Sequence, residues 1–347
     1  MHYRTLGRTN FKVSEIGFGG IPIQQIGLNK AVEVVETALD LGINYIDTAR
    51  AYTDSEKKIG KAIKSRRDDC YLATKTVERT KEKVRKDLET SLKMLDVSRI
   101  DIYQLHAVSD EETLKQIQEP EGALESVKKA KAEGKIDYIG ITGHRADILV
   151  RAIQTNEFDL IMIPFNYVET ESATELIPLA KKLNIGITVM KPLGGGRLTN
   201  ASAALRFILN YPVSTVVTGM ISVEEVKENV SIAENMAPLS TAELEKLAIQ
   251  AAEIEKTFCR SCNYCQPCPN GIQISLILKM RSTITRFGIA RYMKMASSDL
   301  DRYKDCSQCR ECERKCPYKL PILELMAHEV DWLKQTYKEK LKNKKGQ

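Results

Sequence analysis

The sequence predicts an α/β protein in which a closed (β/α)8 barrel precedes a small, mostly helical, cysteine-rich domain. Over the first 250 residues, helical patterns ending at Gly or Asn alternate with short Ile- and Val-rich stretches. Eight of the nine cysteines lie beyond this region. Helices that alternate with buried, β-branched strands indicate a parallel sheet. Eight such units in about 240 residues fit a closed barrel better than an open doubly wound sheet.

Short apolar runs, each followed by a helical pattern, mark the predicted strands. They lie near residues 14–18, 43–48, 71–75, 100–106, 138–142, 160–165, 186–191 and 215–219. The helix after the third strand illustrates the pattern, because KVRKDLETSLKML places apolar side chains on one face. These side chains are Val84, Leu88, Leu92 and Leu95. Such a face can pack against the sheet, so each strand and its helix form one unit of the barrel.

Two segments flank the eight units. The opening YRTLGRTNFKVS predicts a short hairpin at the bottom of the barrel, and TAELEKLAIQAAEIEKT predicts one more helix at 241–257. We therefore assign residues 1–257 to the barrel, 258–330 to the cysteine-rich domain and 331–347 to a helical basic tail. The end of this tail, residues 338–347, is interpreted as a solvated segment.

Two ladders of closely spaced cysteines define the second domain. The ladder FCRSCNYCQPCPN contains Cys259, Cys262, Cys265 and Cys268, and the ladder CSQCRECERKCP contains Cys306, Cys309, Cys312 and Cys316. In a cytoplasmic chain, CxxC spacing indicates a metal rather than disulfides. Zinc usually draws on two CxxC pairs, whereas these ladders have three or four steps in a row. We expect two [4Fe-4S] clusters, with structural zinc as the alternative.

The spacing of the second ladder, C-x2-C-x2-C-x3-C-P, resembles that of bacterial ferredoxins, in which the fourth cysteine serves the other cluster. The first ladder has one residue fewer before its last cysteine. Crossed ligation assigns one cluster to Cys259, Cys262, Cys265 and Cys316, and the other to Cys268, Cys306, Cys309 and Cys312. The residues between the ladders have helical periodicity, so the domain resembles a mostly helical ferredoxin-like module.

Composition and charge argue against several classes of protein. The start, MHYRTLGRTN, lacks a signal peptide's apolar stretch, and no run approaches the roughly 18 apolar residues of a membrane span. Residues 258–347 carry 18 Lys and Arg against 9 Asp and Glu. We assign part of this excess to compensation of cluster thiolates rather than to nucleic-acid binding. The expected protein is cytoplasmic and binds neither membrane nor nucleic acid, and Cys70 is expected to be a buried, inert thiol.

Polar residues end three consecutive predicted strands. Asp47 ends the second strand, with Tyr52 five residues later, Lys75 ends the third and His106 ends the fourth. In a (β/α)8 barrel the chemistry lies at the carboxyl ends of the strands. Each residue alone is more often structural, but together they point to one mouth.

The segments around these residues resemble the aldo-keto reductase family. RTLGRTNFKVSEIGFGG, DTARAY and SLKMLDVSRIDIYQLH stand where that family's signatures do, and the resemblance covers nearly the whole barrel. It implies that Asp47, Tyr52, Lys75 and His106 are the catalytic residues of a carbonyl reductase that uses a nicotinamide cofactor.

The chemistry suits these residue types. Hydride attack on a carbonyl carbon requires a proton at the oxygen, which the phenol of Tyr52 can donate. The ammonium of Lys75 would lower the pKa of that phenol, and Asp47 would keep Lys75 charged and oriented. His106 would hydrogen-bond the carbonyl oxygen. Arg50 is expected to meet either an anionic substrate or a loop carboxylate.

The resemblance also implies cofactor contacts after the later strands. Thr142 and Asn166 would hold the carboxamide, although Gly143 replaces the usual Asn. Met190 stands where an aromatic ring normally stacks on the nicotinamide, and Lys191 and the glycines from Gly194 would line the pyrophosphate.

After the eighth strand, Glu228 and Asn229 resemble the family's adenine contacts. The positions that grip a 2′-phosphate in the family are here Gly219 and Glu225, and a carboxylate repels that dianion. We therefore predict that NADH binds at least as tightly as NADPH.

The sequence thus predicts an NAD(P)H-dependent oxidoreductase that interconverts a small carbonyl compound and an alcohol and carries two [4Fe-4S] clusters. The absence of a flavin signature places the clusters outside the hydride step, in a structural, sensing or electron-transferring role. One alternative is a redox-sensing or binding protein similar to potassium-channel β subunits. Another is an iron–sulfur electron-transfer enzyme, which would take an electron-transfer protein as its partner.

Overall fold

The computed structural model describes residues 1–344, except for the side chains of residues 286, 287 and 337–344. The chain divides into two compact units, Met1–Leu247 and Ala248–Gln347. The solvated end predicted for residues 338–347 concerns side chains outside the described part of the chain.

All the strands of the described residues lie in the first unit, and most are short. They are β1 (Tyr3–Thr5), β2 (Lys12–Ser14), β3 (Ile16–Gly19), β4 (Tyr45–Asp47), β5 (Tyr71–Thr76), β6 (Ile100–Leu105), β7 (Ile136–Thr142), β8 (Leu160–Pro164), β9 (Gly186–Met190) and β10 (Thr215–Gly219). The last eight form a closed parallel barrel in the order β10-β3-β4-β5-β6-β7-β8-β9. The predicted (β/α)8 barrel is confirmed, and its eight strands correspond to β3–β10.

Helices follow the barrel strands and cover the outside of the sheet. They are α1 (Leu28–Asp40), α2 (Ser55–Ile63), α3 (Lys81–Leu95), α4 (Glu111–Gln118), α5 (Ala123–Ala132), α6 (Ala146–Gln154), α7 (Leu176–Lys182), α8 (Ala201–Leu209) and α9 (Val223–Glu234). One more helix, α10 (Thr241–Glu255), follows α9 without a strand between them, and the division between the two units lies within it. Short 3-10 helices lie at Gly7–Thr9, Pro22–Gln25, Arg67–Asp69 and Glu171–Ala173. On α3, Val84, Leu88 and Leu95 are buried, as the helical pattern predicts.

The amino-terminal hairpin packs where the barrel strands begin. β1 and β2 pair antiparallel, and Leu6, between them, is buried in the cluster that fills the barrel interior. The Arg8 N–H donates to the Asn184 carbonyl at 2.6 Å, just before β9. A Cβ on Gly7, whose φ is +49°, would lie 2.2 Å from the backbone nitrogen of Gly186, so only glycine fits this approach. The hairpin therefore covers the bottom of the barrel, as predicted.

The second unit is helical, with the cysteine ladders on either side of three helices. Its elements are α11 (Ile274–Leu278), α12 (Met280–Phe287), α13 (Ile289–Lys304), α14 (Glu311–Lys315) and α15 (Ile322–Lys344). A separate apolar cluster that includes Ile277, Tyr292 and Met326 forms its core. Trp332 and Leu333 pack in the same core, so α15 continues beyond residue 330 as part of this unit. Among the described residues, no helix has both the length and the apolar character that crossing a bilayer requires.

Candidate functional site

Three consecutive barrel strands bring polar side chains to one rim. β4 ends at Asp47, β5 carries Lys75 at its next-to-last position, and His106 directly follows β6. The strands are in register here, with Asp47 beside Ala73 and Lys75 beside Gln104. Because the carboxyl ends of parallel strands meet at the same rim, these side chains converge on the barrel mouth.

Tyr52 reaches the same rim from the turn between β4 and α2. Its N–H donates to the Ala49 carbonyl at 2.9 Å, and its carbonyl accepts from Ser55, the first residue of α2, at 2.8 Å. The Lys75 Nζ lies 5.1 Å from the Tyr52 ring centroid. The rings of Tyr52 and His106 are 6.0 Å apart and nearly perpendicular, at 86°. The structure thus brings together the four residues that the sequence singles out.

Lys75 is buried and hydrogen-bonded on two sides. Its ammonium donates to the carboxylate of Asp47 and to the Thr48 carbonyl, the latter at 2.8 Å. The Gln104 amide donates to the second carboxylate oxygen of Asp47 at 2.9 Å. Burial lowers the pKa of Lys75, but the charges and hydrogen bonds of Asp47 and Tyr52 outweigh it and raise that pKa above its ordinary value. Lys75 is therefore a cation at neutral pH, held beside the phenol of Tyr52.

His106 is neutral at physiological pH. Burial, followed by the positive charges of Lys75 and Arg79, lowers the pKa of His106 to about 3. Its Nδ1 atom is buried and has no hydrogen-bond partner among the described residues. A neutral imidazole keeps one N–H, which can donate to an oxygen at the mouth without repelling Lys75.

The turn after His106 is clamped from two sides. The Arg79 guanidinium donates to the carbonyls of His106 and Ala107, at 2.7 and 3.3 Å. Thr142, at the end of β7, accepts from the Ala107 N–H at its hydroxyl and from the Val108 N–H at its carbonyl, at 2.9 and 2.7 Å. Ala107 has a φ of +58°, which alanine disfavours. These bonds therefore fix an otherwise unfavourable turn and, with it, the position of His106.

This turn also leaves no room for a side chain at Gly143. A Cβ on Gly143 would lie 2.3 Å from the Val108 carbonyl oxygen and 3.2 Å from the Leu149 side chain. Any larger residue must displace the backbone of the clamped turn.

Gly143→Asn should lower the free energy of unfolding of the barrel by about 2 kcal/mol, because overpacking against rigid backbone usually costs 1–3 kcal/mol. Thermal unfolding followed by far-UV circular dichroism measures this change. Gly27→Asn is the matched control, because Gly27 precedes α1 and no atom lies within 4 Å of its added Cβ. A Gly143→Asn variant as stable as this control would contradict the expected clash.

Arg50, near the same rim, is paired within the barrel. It forms an ion pair with Glu56 on α2, and Glu56 also accepts from the Thr74 hydroxyl at 2.8 Å. Of the two roles left open by the sequence, the structure shows the ion pair, with the carboxylate on a helix rather than on a loop.

The amide of Asn166, after β8, is bonded within its own loop and to the loop after β9. Its nitrogen donates to the Glu169 carboxylate at 3.0 Å and to the Lys191 carbonyl at 3.1 Å. Its oxygen accepts from the N–H groups of Val168 and Glu169, both at 2.9 Å. A cofactor carboxamide at Asn166 would have to exchange with these bonds.

The loop after β9 depends on backbone conformations that suit glycine. Met190 ends β9, is half-buried and packs against the cluster inside the barrel. Lys191 has a φ of +56°, and Gly194, Gly195 and Gly196 have φ of +52°, +76° and +89°. Glycine adopts such values without steric cost. The glycine run therefore allows the backbone to turn at the rim beside Lys191.

Glu225 caps the helix that follows β10. The Ser222 hydroxyl accepts from the Glu225 N–H at 3.3 Å, and the Glu225 carboxylate accepts from the Ile221 N–H at 2.7 Å. This reciprocal arrangement closely resembles a capping box. Glu225 therefore has a structural role besides its charge.

The remaining predicted adenosine contacts lie close to this cap. Gly219 is the exposed last residue of β10, and a Cβ there would lie 2.6 Å from the ring of Pro22. On α9, Glu228 is exposed and Asn229 is buried. The structure therefore places only the first of the two helical residues in contact with solvent.

In the second unit, the eight ladder cysteines line two cavities. One is lined by Cys259, Cys262, Cys265 and Cys316, and the other by Cys268, Cys306, Cys309 and Cys312. Each cavity therefore takes three cysteines from one ladder and one from the other. Apolar side chains such as Ile322 in the first and Met326 in the second complete the walls.

The thiols in these cavities influence one another. Burial, and then the charges of Cys259, Cys262 and Cys316, raise the pKa of Cys265 to about 12. Among the described residues, no three His, Cys, Asp or Glu side chains converge on a position for a single metal ion. Cys70, in the barrel, is buried as predicted, and burial raises its pKa to about 12.

Comparison with known proteins identifies both units. The sequence model of the Aldo/keto reductase family matches residues 15–203, more than half of the chain. The chain belongs to the aldo-keto reductase family. The model of the 4Fe-4S dicluster domain matches residues 258–321. This aldo-keto reductase is thus an oxidoreductase with a carboxyl-terminal 4Fe-4S dicluster domain, which confirms the resemblance predicted from the sequence.

Curated relatives of this aldo-keto reductase cover most of the barrel. L-galactose dehydrogenase of Arabidopsis thaliana is 31% identical over 279 residues, 66% of this chain and 86% of the relative. The uncharacterized oxidoreductase YqkF of Bacillus subtilis is 27% identical over 301 residues, 71% of this chain and 95% of the relative.

Solved structures agree with the barrel fold. The holo form of an aldo-keto reductase from Bacillus halodurans has a TM-score of 0.62 at 28% identity, and the match spans 72% of this chain and 96% of the Bacillus chain. An aldo/keto reductase from Klebsiella pneumoniae in complex with NADP and acetate has a TM-score of 0.61 at 21% identity, and the match again spans 72% of this chain and 96% of the other. At this identity the likeness supports the fold alone.

Two residues of this aldo-keto reductase site were missed in the sequence. Gln104, which holds Asp47, lies on β6 two positions before His106, which directly follows that strand, so the alternation of extended chain puts both on one face. That alternation was a usable signal. Arg79 lies four residues beyond Lys75 in a loop, and nothing in the sequence indicates that it reaches the carbonyl of His106.

Proposed function

We propose that the barrel catalyses the reversible, NAD(P)H-dependent interconversion of a small aldehyde or ketone and the corresponding alcohol. The convergence of Tyr52, Lys75 and His106 at one rim, with Asp47 behind Lys75, carries this proposal. L-galactose dehydrogenase, a relative at 31% identity, is named for the oxidation of a sugar, which is chemistry of this class. Anaerobic turnover of small aldehydes, ketones and alcohols with both cofactors tests the proposal, and no turnover with any of them would contradict it.

The residues of the rim divide the proton chemistry between them. Tyr52 donates its phenolic proton to the carbonyl oxygen during reduction and accepts it during oxidation. The ammonium of Lys75, held by Asp47, stabilises the phenolate between these steps. His106 donates an N–H to the same carbonyl oxygen, which fixes the carbonyl and stabilises the charge that develops there.

A bound nicotinamide cofactor supplies or accepts the hydride. We propose that it lies along the rim from β7 to β10, where the predicted contacts Thr142, Asn166, Met190, Lys191, Gly194, Gly219, Glu228 and Asn229 are found. The open glycine backbone beside Lys191 and the exposed Glu228 fit this role. Thr142 and Asn166 fit less well, because their polar atoms are bonded within the chain.

The start of α9 should set the choice between NADH and NADPH. Glu224 and Glu225 lie in its first turn. Lys227, which is exposed, is the cation nearest to them in the sequence. We predict that the wild type binds NADH at least as tightly as NADPH, because a 2′-phosphate would meet these carboxylates. Titration of both cofactors by intrinsic fluorescence measures the ratio of the two Kd values.

Two variants separate the charge of Glu225 from its cap. Glu225→Gln keeps an acceptor for the Ile221 N–H and removes the charge, so it should shift the ratio several-fold toward NADPH. Glu225→Arg adds a phosphate ligand and should shift it further. A tenfold NADPH preference in the wild type, unchanged in both variants, would show that the 2′-phosphate binds elsewhere.

The pKa of His106 predicts a pH dependence of stability. An unfolded histidine has a pKa near 6.5, whereas folded His106 has a pKa of about 3. Between these values the unfolded chain binds a proton that the folded chain does not, so stability is complete above pH 6.5 and falls as the pH decreases. From pH 7 to pH 5, the wild type should lose about 1 to 2 kcal/mol more than His106→Gln. Parallel losses in urea unfolding would contradict a neutral, desolvated His106.

We further propose that the two cysteine-lined cavities hold [4Fe-4S] clusters. Cys259, Cys262, Cys265 and Cys316 would ligate one cluster, and Cys268, Cys306, Cys309 and Cys312 the other. The donor set fits, because four thiols meet in each cavity and apolar side chains such as Ile322 and Met326 contribute to the walls. Such clusters exchange one electron at a time, so they serve a structural or electron-transfer role outside the two-electron hydride step.

A further inference from the structure

A buried arginine lies in the wall of the first cysteine-lined cavity. Arg260 directly follows Cys259 and is only 4% exposed. It lines the cavity together with Cys262 and Cys316. Arginine is rarely buried to this extent in proteins unless its charge is compensated. The surroundings of Arg260 therefore need an explanation.

Arg260 pairs with a carboxylate that faces water. Its guanidinium donates to the Glu255 carboxylate at 2.6 Å, but the Glu255 side chain is 51% exposed and therefore screened by water. On another side, the guanidinium carbon lies 3.8 Å from the ring centroid of Tyr318, two residues beyond Cys316. The Phe258 ring is more distant, at 5.9 Å. The arginine thus connects the two chain segments that supply this cavity.

The second cavity has no equivalent among the described residues that line it. Its arginine, Arg310, has a side chain that is 69% exposed and pairs with Glu313 at 3.0 Å. A charge in water acts weakly at a distance, whereas a buried charge acts through a medium of low dielectric constant. The two cavities therefore differ in the electrostatic environment that they offer.

We propose that Arg260 raises the reduction potential of the cluster held by Cys259, Cys262, Cys265 and Cys316. This inference rests on the proposed binding of two clusters. Reduction adds one electron to a cluster that is already anionic, forms and breaks no bond, and increases its negative charge by one. A buried cation in the cavity wall stabilises the reduced form more than the oxidised form. Arg260 thus makes this cluster easier to reduce than it would be without the buried charge.

Potentiometric titration of the full chain, with dithionite as the one-electron reductant and electron paramagnetic resonance as the readout, tests the proposal. Arg260→Leu should lower one of the two midpoint potentials by at least 59 mV, which corresponds to a tenfold change in the equilibrium constant for one-electron reduction. Arg260→Lys should lower it less, because the charge remains. Arg310→Leu, the matched control in the other cavity, should shift either potential much less than Arg260→Leu does.

A second variant keeps the proposal falsifiable if Arg260→Leu fails to assemble. Arg260→Gln removes the charge, keeps a polar side chain at this position and should lower the same potential. Iron and sulfide are counted in every variant, so loss of clusters is distinguished from an absence of shift. Eight irons with unchanged potentials in Arg260→Leu or in Arg260→Gln would overturn the proposal. A wild type without iron would instead contradict the proposed function.

Discussion

Tyr52→Phe should reduce aldehyde turnover by roughly two to four orders of magnitude while NADH still binds. The variant removes one hydroxyl, and with it the only phenolic proton that the proposed mechanism delivers to the carbonyl oxygen. Lys75 and His106 should remain in place, because Lys75 keeps its bonds to Asp47 and Thr48, and the His106 N–H keeps its bond to the Thr76 carbonyl. Stopped-flow measurement of the reduction rate, with the NADH Kd measured separately by fluorescence, distinguishes loss of chemistry from loss of binding.

Tyr103→Phe is the matched control for this experiment. Tyr103 lies on β6 of the same barrel, is fully buried and packs in the outer core beneath the helices rather than at the rim. Loss of its hydroxyl should leave turnover within a few-fold of the wild type. If Tyr52→Phe and Tyr103→Phe were equally active, another group would have to be the proton donor.

Anaerobically purified wild type should contain close to eight iron and eight acid-labile sulfide per chain, and pairs of alanine variants should reveal how the cysteines share them. Cys259→Ala with Cys316→Ala should still retain four iron, because both side chains line one cavity although they lie in different ladders. Cys312→Ala with Cys316→Ala should retain none, because these neighbours in one ladder line different cavities. Each single variant provides the baseline of four iron.

The opposite pattern would show that each ladder holds its own cluster. In that case Cys312→Ala with Cys316→Ala would keep four iron, and Cys259→Ala with Cys316→Ala would keep none. Stoichiometric zinc without sulfide in the wild type would refute the clusters altogether. Four iron in the wild type would mean that one cavity is incomplete.

The barrel was predictable because its signal is local. Each β-branched run and the amphipathic helix after it, such as α3 with Val84, Leu88 and Leu95, carries its own period. Strand ends follow from the same pattern, which is why Asp47, Lys75 and His106 could be expected at one rim. The separation of the units at Leu247 depends on packing among distant residues, and no local pattern specifies it.

The part of the site that the sequence did not reveal consists of contacts across the barrel. The bond from Gln104 to Asp47 joins β6 to β4, and the bonds from Arg79 to the turn after His106 join two loops. Neither partner is recognisable by type, because glutamine and arginine are common on protein surfaces. Similarly, Asn166 is a plausible carboxamide ligand by type, yet its loop already uses every hydrogen-bonding atom of its amide.

The exchange of one cysteine between the ladders has a consequence for the chain outside the cavities. Cys265 and Cys316 are 51 positions apart, and Cys268 and Cys306 are 38 apart. Each bound cluster would therefore act as a cross-link that ties off a long loop containing α11, α12 and α13. Closing such a loop removes configurational entropy from the unfolded chain, as a disulfide does. The three helices would then remain tethered at both ends even when their own packing opens.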